Sequence, residues 1–349
     1  LVSNIQEAFI FDIYGFRFRL RATDSTPAID SLASDFCFFR REALEKHSEP
    51  IDVVLHVCEP PYDEVPQRAA TIYTPRNIAF SEGSRTYIDY GTQALAIYDR
   101  AIPSFHIYSQ SDDLLHEATY LFLLSRIGEF LDSRRLHRIH AMALSFHGRA
   151  VLAILPMGGG KSTLCAELLK DPEMDFLSDD SPFIARDGAV RAFPLRLGLL
   201  PGGEKDIPVE HVRTIHRMEF GPKILVNYDY FAHRVKPVAQ PGIVLLGYRS
   251  LSPNCRIEPA GTMESYRSMI ADCAVGLGLF QGLEFMLRSS PTELIDKAGA
   301  MFSRFRNART LFRRSHVYRL ILGRDREENA RAVGDLIRQK LGPKAEPRG

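Results

Sequence analysis

Residues 155–162 read Leu-Pro-Met-Gly-Gly-Gly-Lys-Ser, three consecutive glycines followed at once by a cation and a hydroxyl. Glycines in a row let the backbone curl so that several N–H groups face one anion. In such a loop Lys161 can reach the β- and γ-phosphates of a nucleotide, and Ser162 can hold Mg²⁺. A helix beginning at Lys161 would aim its positive end at the same point. The full form of the loop is G-x-x-x-x-G-K-[ST], and Leu155 stands here where the first glycine would be. A glycine-rich turn before an ordinary helix is the plain alternative.

Three further features lie close by in sequence. Asp179 and Asp180 end an apolar run (Met174, Phe176, Leu177) that reads as a strand beside the loop. Paired carboxylates there can divide the work of binding Mg²⁺ and of accepting a proton from an attacking hydroxyl, although Asp-Asp-Ser-Pro also suits a turn. If His147-Gly148 is a two-residue hairpin turn, Phe146 faces Arg149 and His140 falls opposite Leu155, at the mouth of the loop. His140 could then meet the γ-phosphate, orient an aspartate, or be a hydrogen-bonded core residue. A second turn at Asp187-Gly188, with Arg186 opposite Ala189, would bring Arg196 opposite Asp179, as a contact for phosphate or carboxylates or as a structural salt bridge.

The elements that must position these residues follow from local patterning. HAMALSF and RAVLAIL read as hairpin strands running into the loop, KSTLCAELLK as a helix, MDFLSDD as a strand and SPFIARDGAVRAF as a second hairpin. Later strands are expected at KILVNYDYF and GIVLLGY, and helices near 263–287, 291–305 and 325–341. Upstream, alternation of Phe16, Phe18 and Leu20 with Arg17, Arg19 and Arg21 marks a half-buried strand. With candidates from Ile51, Ile78, Ala94 and Ser104, it makes residues 1–111 a mainly antiparallel β domain. From Asp112 an apolar stripe (Leu114, Leu115, Ala118, Leu121, Phe122, Ile127, Phe130, Leu131) predicts a connecting helix over 112–138, capped by Ser111 or Asp112. Residues 139–322 are then the catalytic domain and 323–349 a C-terminal helix with a frayed tail from Gly342.

Composition narrows the setting. The chain has 349 residues, enough for two domains, and its 45% hydrophobic and 25% charged residues are those of a folding globular protein. A formal net charge of +1 asks for neither nucleic acid nor an anionic membrane. The five cysteines are odd in number and lack a C-x-x-C pair, which favours a reduced, cytoplasmic setting over a disulfide framework. No apolar run approaches the ~20 residues that span a bilayer, and the first residues lack the blocks of a signal peptide. Loops at 201–210 and from His233, with Arg234 and Lys236, could cap the site or be solvated surface. Between Phe302 and Arg324 there are seven arginines and no acid, which could dock an acidic peptide or form a solvated helix face.

The run HAMALSFHGRAVLAILPMGGGKSTLCAELLK followed by FLSDDSPFI resembles the catalytic domain of the HPr kinase/phosphorylase family, with histidine, glycine loop and paired aspartates in that order. The likeness is specific over residues 140–186 and extends weakly to about 250. It implies an α/β fold, a P-loop kinase core of mixed sheet flanked by helices (HPr kinase/PEP carboxykinase-like), preceded by the mainly β domain. It further implies ATP and Mg²⁺ as cofactors, with Gly158, Gly159, Gly160, Lys161, Ser162 and Thr163 cradling the phosphates and Asp179 helping to hold the metal; the loop pattern adds Met157 as a nucleotide contact and Ser162 as a metal ligand, and the hairpin register adds Arg196 as a nucleotide contact. Asp180 would be the general base, with Asp179, His140 and Lys161 completing the catalytic set. There are two departures: Leu155 replaces the first loop glycine, and the segment AFPLRLGLL stands in place of a glutamate-containing signature; the second puts the reverse phosphorylase reaction in doubt and makes HPr an unexpected substrate.

The chain looks closer to kinases that modify peptides, such as lasso-peptide kinases. The expected reaction is therefore transfer of the γ-phosphate to a serine of a peptide or protein, with the 304–324 arginines as a docking segment and an oligomer possible. A kinase of a small hydroxylated metabolite such as free serine is the alternative, as is a nucleotide-sensing protein without catalysis. Neither the N-K-x-D guanine-reading motif nor an L-S-G-G-Q signature is present.

Overall fold

The structure, a computed structural model, describes residues 8–43, 49–199, 202–205, 207–216, 222–275 and 291–343, without the side chains of 291–298. The chain divides into two compact units, one made of the first 131 residues and the other of residues 132 onward apart from short segments. Each is a mixed α/β unit built on one large sheet.

In the first unit Tyr14 and Gly15 take positive φ, so β1 (Phe9–Ile13) and β2 (Phe16–Ala22) close as a tight hairpin whose alternating residues bury Phe16, Phe18 and Leu20. Helix α1 (Pro27–Asp35) follows, capped by the Thr26 hydroxyl and burying Ala28, Ile29, Leu32 and Ala33, an element not among those expected from the local patterning. Then come β3 (Arg40–Arg41), β4 (Ile51–Val57), β5 (Ile72–Tyr73), β6 (Ile78–Glu82), β7 (Arg85–Asp89), β8 (Ala94–Asp99) and β9 (Ser104–Ser109). The sheet order is β3-β1-β2-β4-β9-β8-β7-β6-β5. It is mainly antiparallel as expected, except that β4 runs parallel to both its neighbours, β2 and β9. Helix α2 (Asp112–Ser133) follows, the Ser111 hydroxyl accepting from the Leu114 N–H at 3.4 Å.

The second unit begins with β10 (His137–Arg138), β11 (Met142–Phe146) and β12 (Arg149–Ile154). His147 and Gly148 both have positive φ, and Phe146 pairs with Arg149 and Met142 with Ala153, the register that the two-residue turn implies. After α3 (Lys161–Leu168) and β13 (Met174–Ser178) come β14 (Phe183–Ile184) and β15 (Val190–Arg191). This second hairpin departs from expectation by one residue. Ala185 pairs with Ala189 across a three-residue loop, in which Asp187 Oδ1 accepts from the Ala189 N–H and Gly188 adopts φ +82°. Arg196 is consequently not set opposite Asp179 by strand pairing.

Short strands β16 (Leu197–Leu199), β17 (Val212–Ile215) and β18 (Lys223–Val226) follow, of which β16 and β18 pair. The expected strand from Lys223 to Phe231 stops at Val226 and gives way at Asn227 to the single turn α4 (Tyr228–Phe231). The long β19 (Val238–Arg249), β20 (Arg256–Pro259), α5 (Thr262–Ser268), α6 (Pro291–Arg313), β21 (His316–Leu322) and α7 (Arg326–Leu341) complete the unit. The expected 263–287 helix is α5 running into a wider π-helical stretch, Met269–Val275; its remainder lies outside the described residues. So do Leu200, Pro201 and Asp206 of the 201–210 loop, and the tail beyond Pro343.

The sheet runs β10-β14-β15-β19-β12-β11-β13, with β21 on β19. Along β12 the alternate residues Val151 and Ala153 enter one core with Leu164, Leu168, Val333 and Ile337, while Ala150, Leu152 and Ile154 enter another with Ala308 and Leu311. Both faces of β12 are thus covered, by α3 and α7 on one side and α6 on the other, which is why this strand reads as a continuous apolar run. β12, β19 and β21 are parallel, so their carboxyl ends meet at one edge. That edge carries the glycine loop.

Candidate active site

The loop leaves β12 at Ile154 and enters α3 at Lys161. Gly158 and Gly160 hold φ of +72° and +98°, and the Gly159 N–H donates to the Pro156 carbonyl at 3.0 Å. A side chain at Gly159 would press on that carbonyl, its Cβ only 2.8 Å from the oxygen, so the curl needs glycine at all three positions. Gly160 caps α3 without any side-chain bond. The first N–H groups of a helix have no partners within it, so the curl and the helix present donors to the same point.

Leu155, the departure from the usual loop, has a structural counterpart. Its side chain is buried and lies over Gly247 of β19, where a Cβ would come 2.2 Å from Leu155 Cγ. Leucine at the head of the loop is thus accommodated by glycine on the neighbouring strand. Nothing in the local sequence announces that pairing.

Lys161 is buried at 6% exposure, with its ammonium turned back onto the loop. Nζ donates to the Leu155 carbonyl at 2.7 Å and the Pro156 carbonyl at 3.3 Å, and stands 2.8 Å from His140 Nε2. An ammonium can only donate, so Nε2 accepts and the imidazole proton sits on Nδ1. Nδ1 lies 3.1 Å from Asp180 Oδ1. The backbone fixes this arrangement: the Ile139 N–H donates to the Pro182 carbonyl and the Ala141 N–H to the Asp180 carbonyl, both at 3.1 Å. His140 is therefore held between Lys161 and Asp180, whose side chain is 60% exposed.

Asp179 faces the other way and is buried. Its Oδ2 accepts from the Ser162 hydroxyl at 2.9 Å and from the Gly198 N–H at 3.0 Å. Ser162 and Asp179 form a pair of hard oxygen donors at the start of α3. That suits Mg²⁺, which usually takes one or two protein oxygens and fills its octahedron with phosphate and water. Among the described residues no cluster of three or more His, Cys, Asp or Glu side chains could hold a metal alone. Half-buried Arg196 lies two residues before Gly198, Thr163 follows Ser162 in α3, and Met157 projects largely into solvent.

Two residues that the sequence reading passed over stand at the same edge. Arg249 ends β19, and its Nη1 lies 3.0 Å from where a Cβ on Gly160 would be. Asp272, in the π-helical stretch, accepts from the Ser268 hydroxyl at 2.7 Å. Burial pushes its carboxyl above the ordinary range, against the Ser268 bond and the nearby Lys161 ammonium, which work to lower it.

Other charged candidates serve the framework. The Arg234 guanidinium donates to the carbonyls of Leu169, Asp171 and Met174, joining the end of α3 to β13, and is not a free loop cation. Lys236 sits 4.0 Å from Asp175. The 304–324 arginines are not one helix face, because α6 ends at Arg313 and β21 begins at His316. Arg304 pairs with Asp132, Arg314 donates to the Asp187 carbonyl, and Arg319 pairs with Glu264.

A second constellation has the order carboxylate, imidazole, hydroxyl. His137 Nδ1 is 2.8 Å from Asp132 Oδ1, and Nε2 is 2.8 Å from Ser303 Oγ. His137 is only 1% exposed and Ser303 is buried, so no substrate reaches them. Burial works to raise the Asp132 carboxyl, but the His137 bond and Arg304 outweigh it and hold the group below the usual carboxylate range. Asn307 adds bonds to the Arg135 and Ile184 carbonyls at 2.9 and 3.2 Å, so this constellation clamps α6 to the sheet.

Among the described residues no helix is long and apolar enough to cross a membrane, and Cys58, Cys165, Cys255 and Cys273 are free. No protein-family model matches the chain, and no curated protein matches it.

Proposed function

We propose that the protein is a kinase with an HPr-kinase-like P-loop core, transferring the γ-phosphate of ATP to a hydroxyl, most simply a serine of a peptide or protein. One observation carries this reading: Lys161 and Asp180 flank a single histidine at the mouth of the glycine loop, while Ser162 and Asp179 pair beside it. A cation for the donor and an exposed carboxylate for the acceptor are thereby coupled through His140.

In this reading the phosphates settle on the N–H groups of the loop, and Lys161 exchanges the Leu155 and Pro156 carbonyls for phosphate oxygens. Asp180, 3.1 Å from Nδ1 of His140, accepts the proton of the incoming hydroxyl. That oxygen bonds to the γ-phosphorus as the bond to the β,γ-bridging oxygen breaks, and ADP carries away the electron pair. Ser162 and Asp179 would hold Mg²⁺, which supplies neutralisation of phosphate charge when bound. Thr163, Met157 and Arg196 are assigned to the periphery of the nucleotide.

The test offers labelled ATP and Mg²⁺ to the full chain with serine-containing peptides and, separately, with free serine. Transfer to peptide supports the proposal, and transfer to free serine alone redirects it to a metabolite kinase. Asp180→Asn should abolish transfer while nucleotide still binds. Binding without transfer to any hydroxyl would leave a nucleotide sensor and sink the kinase reading.

A further inference from the structure

Arg249 lies beyond residues 140–186, where the family resemblance is specific, at the end of a strand remote in sequence from the loop. Its position is set by sheet register. β12 and β19 run parallel with Ile154 beside Leu246, so the three residues after Leu246 climb alongside the loop as it leaves Ile154. The first, Gly247, yields its side-chain space to Leu155. The second, Tyr248, turns its hydroxyl toward Glu264. Strand alternation sends the third, Arg249, to the opposite side, where Nη1 comes 3.0 Å from the site of a Cβ on Gly160. The guanidinium thus stands against Gly160, directly at the start of α3.

The arginine also differs from its neighbours. Arg319, on the adjoining β21, is paired with Glu264, Arg304 with Asp132, and Arg234 with three carbonyls. Arg249 is exposed, and among the described residues no carboxylate engages it. A planar fork of N–H donors beside a ring of backbone N–H groups matches a polyphosphate better than it matches solvent.

We infer that Arg249 is a phosphate-binding residue, a second fixed cation that closes on the donor's phosphates from the β19 side while Lys161 holds them from within the loop. This inference rests on the nucleotide reading of the loop. It adds that the site draws on two parallel strands, and that a guanidinium supplied in cis stabilises charge on the phosphates during transfer.

The experiment measures MgATP and MgADP affinity of the full chain by calorimetry, with inorganic tripolyphosphate as competitor, for wild type, Arg249→Ala, Arg249→Lys and Arg319→Ala. Loss of a charge-assisted phosphate contact should weaken both nucleotides and tripolyphosphate by about tenfold in Arg249→Ala. Lysine at 249 should recover part of that loss, and Arg319→Ala should stay within about twofold of wild type, since its charge is already paired. If wild type binds and Arg249→Ala binds equally well, the inference fails while the loop reading stands. Equal losses in Arg249→Ala and Arg319→Ala would mean general surface charge and would also overturn it. Absence of binding in wild type would remove the loop reading, and this inference with it.

Discussion

Two histidine–aspartate pairs lie three residues apart in the second unit and do opposite things. His137 is enclosed: one ring nitrogen meets Asp132, the other meets Ser303, and Asp132 is further tied to Arg304. His140 stands between an exposed carboxylate and a lysine in a glycine loop. The chemical pair is the same, and access is the difference. In the first, each member is satisfied by a neighbour on another element, so the bonds fix α6 in place. In the second, Lys161 is satisfied by loop carbonyls that a better acceptor can replace, and Asp180 faces solvent. A His–Asp pair becomes a candidate for chemistry when its partners can be exchanged without unfolding anything.

The comparison can be broken or sharpened by substitution. The largest effect is expected at the open pair, where Asp180→Asn should lower phosphate transfer by about a thousandfold, within the range for losing a general base, with the melting temperature unchanged. Retention of transfer in that variant removes the proposed base. Next, Asp132→Ala should leave the Arg304 charge and the His137 proton without their partner and cost about 3 kcal/mol in denaturant unfolding, with turnover per folded molecule near wild type. A variant that kept its stability but lost turnover would reverse the assignment of the two pairs. His140→Gln removes the imidazole that stands beside Asp180, and transfer should fall by roughly ten- to a hundredfold with little change in stability. The smallest effect is in pH dependence. Because the Asp132 carboxyl titrates below its unfolded value, its stabilisation is present above about pH 4 and is lost as pH falls through the folded value. Asp132→Asn should therefore flatten the acid limb of the stability profile, and an unchanged limb would show that the pair contributes nothing there.

What the sequence made legible follows the range over which each feature is determined. The β11–β12 hairpin was readable because a two-residue turn with positive φ fixes its register out to Met142 opposite Ala153, two residues short of His140, which backbone bonds to Pro182 and Asp180 then hold at the loop. Asp179 and Asp180 were readable because they directly follow a short apolar strand, which ends at Ser178. The second hairpin slipped by one because the Asp187 side chain and Gly188 favour a three-residue loop, which took Arg196 out of the expected pairing. Features formed by distant segments left no local trace. Gly247 and Arg249 matter only because β19 pairs in parallel with β12, nearly a hundred residues earlier. The bond from His137 to Ser303 joins elements still further apart, so Ser303 reads locally as one polar residue in an arginine-rich helix. Arg234 shows the converse error, a cation in a loop-like stretch whose donors are consumed by backbone carbonyls.

The account rests on the glycine loop binding the phosphates of a nucleotide through Lys161. The most direct test is calorimetric titration of the full chain and of Lys161→Ala with MgATP. The account predicts saturable binding by wild type and affinity weakened by about tenfold or more in the variant, whose fold is retained. Absence of binding by wild type, or equal affinity in the two proteins, would contradict it.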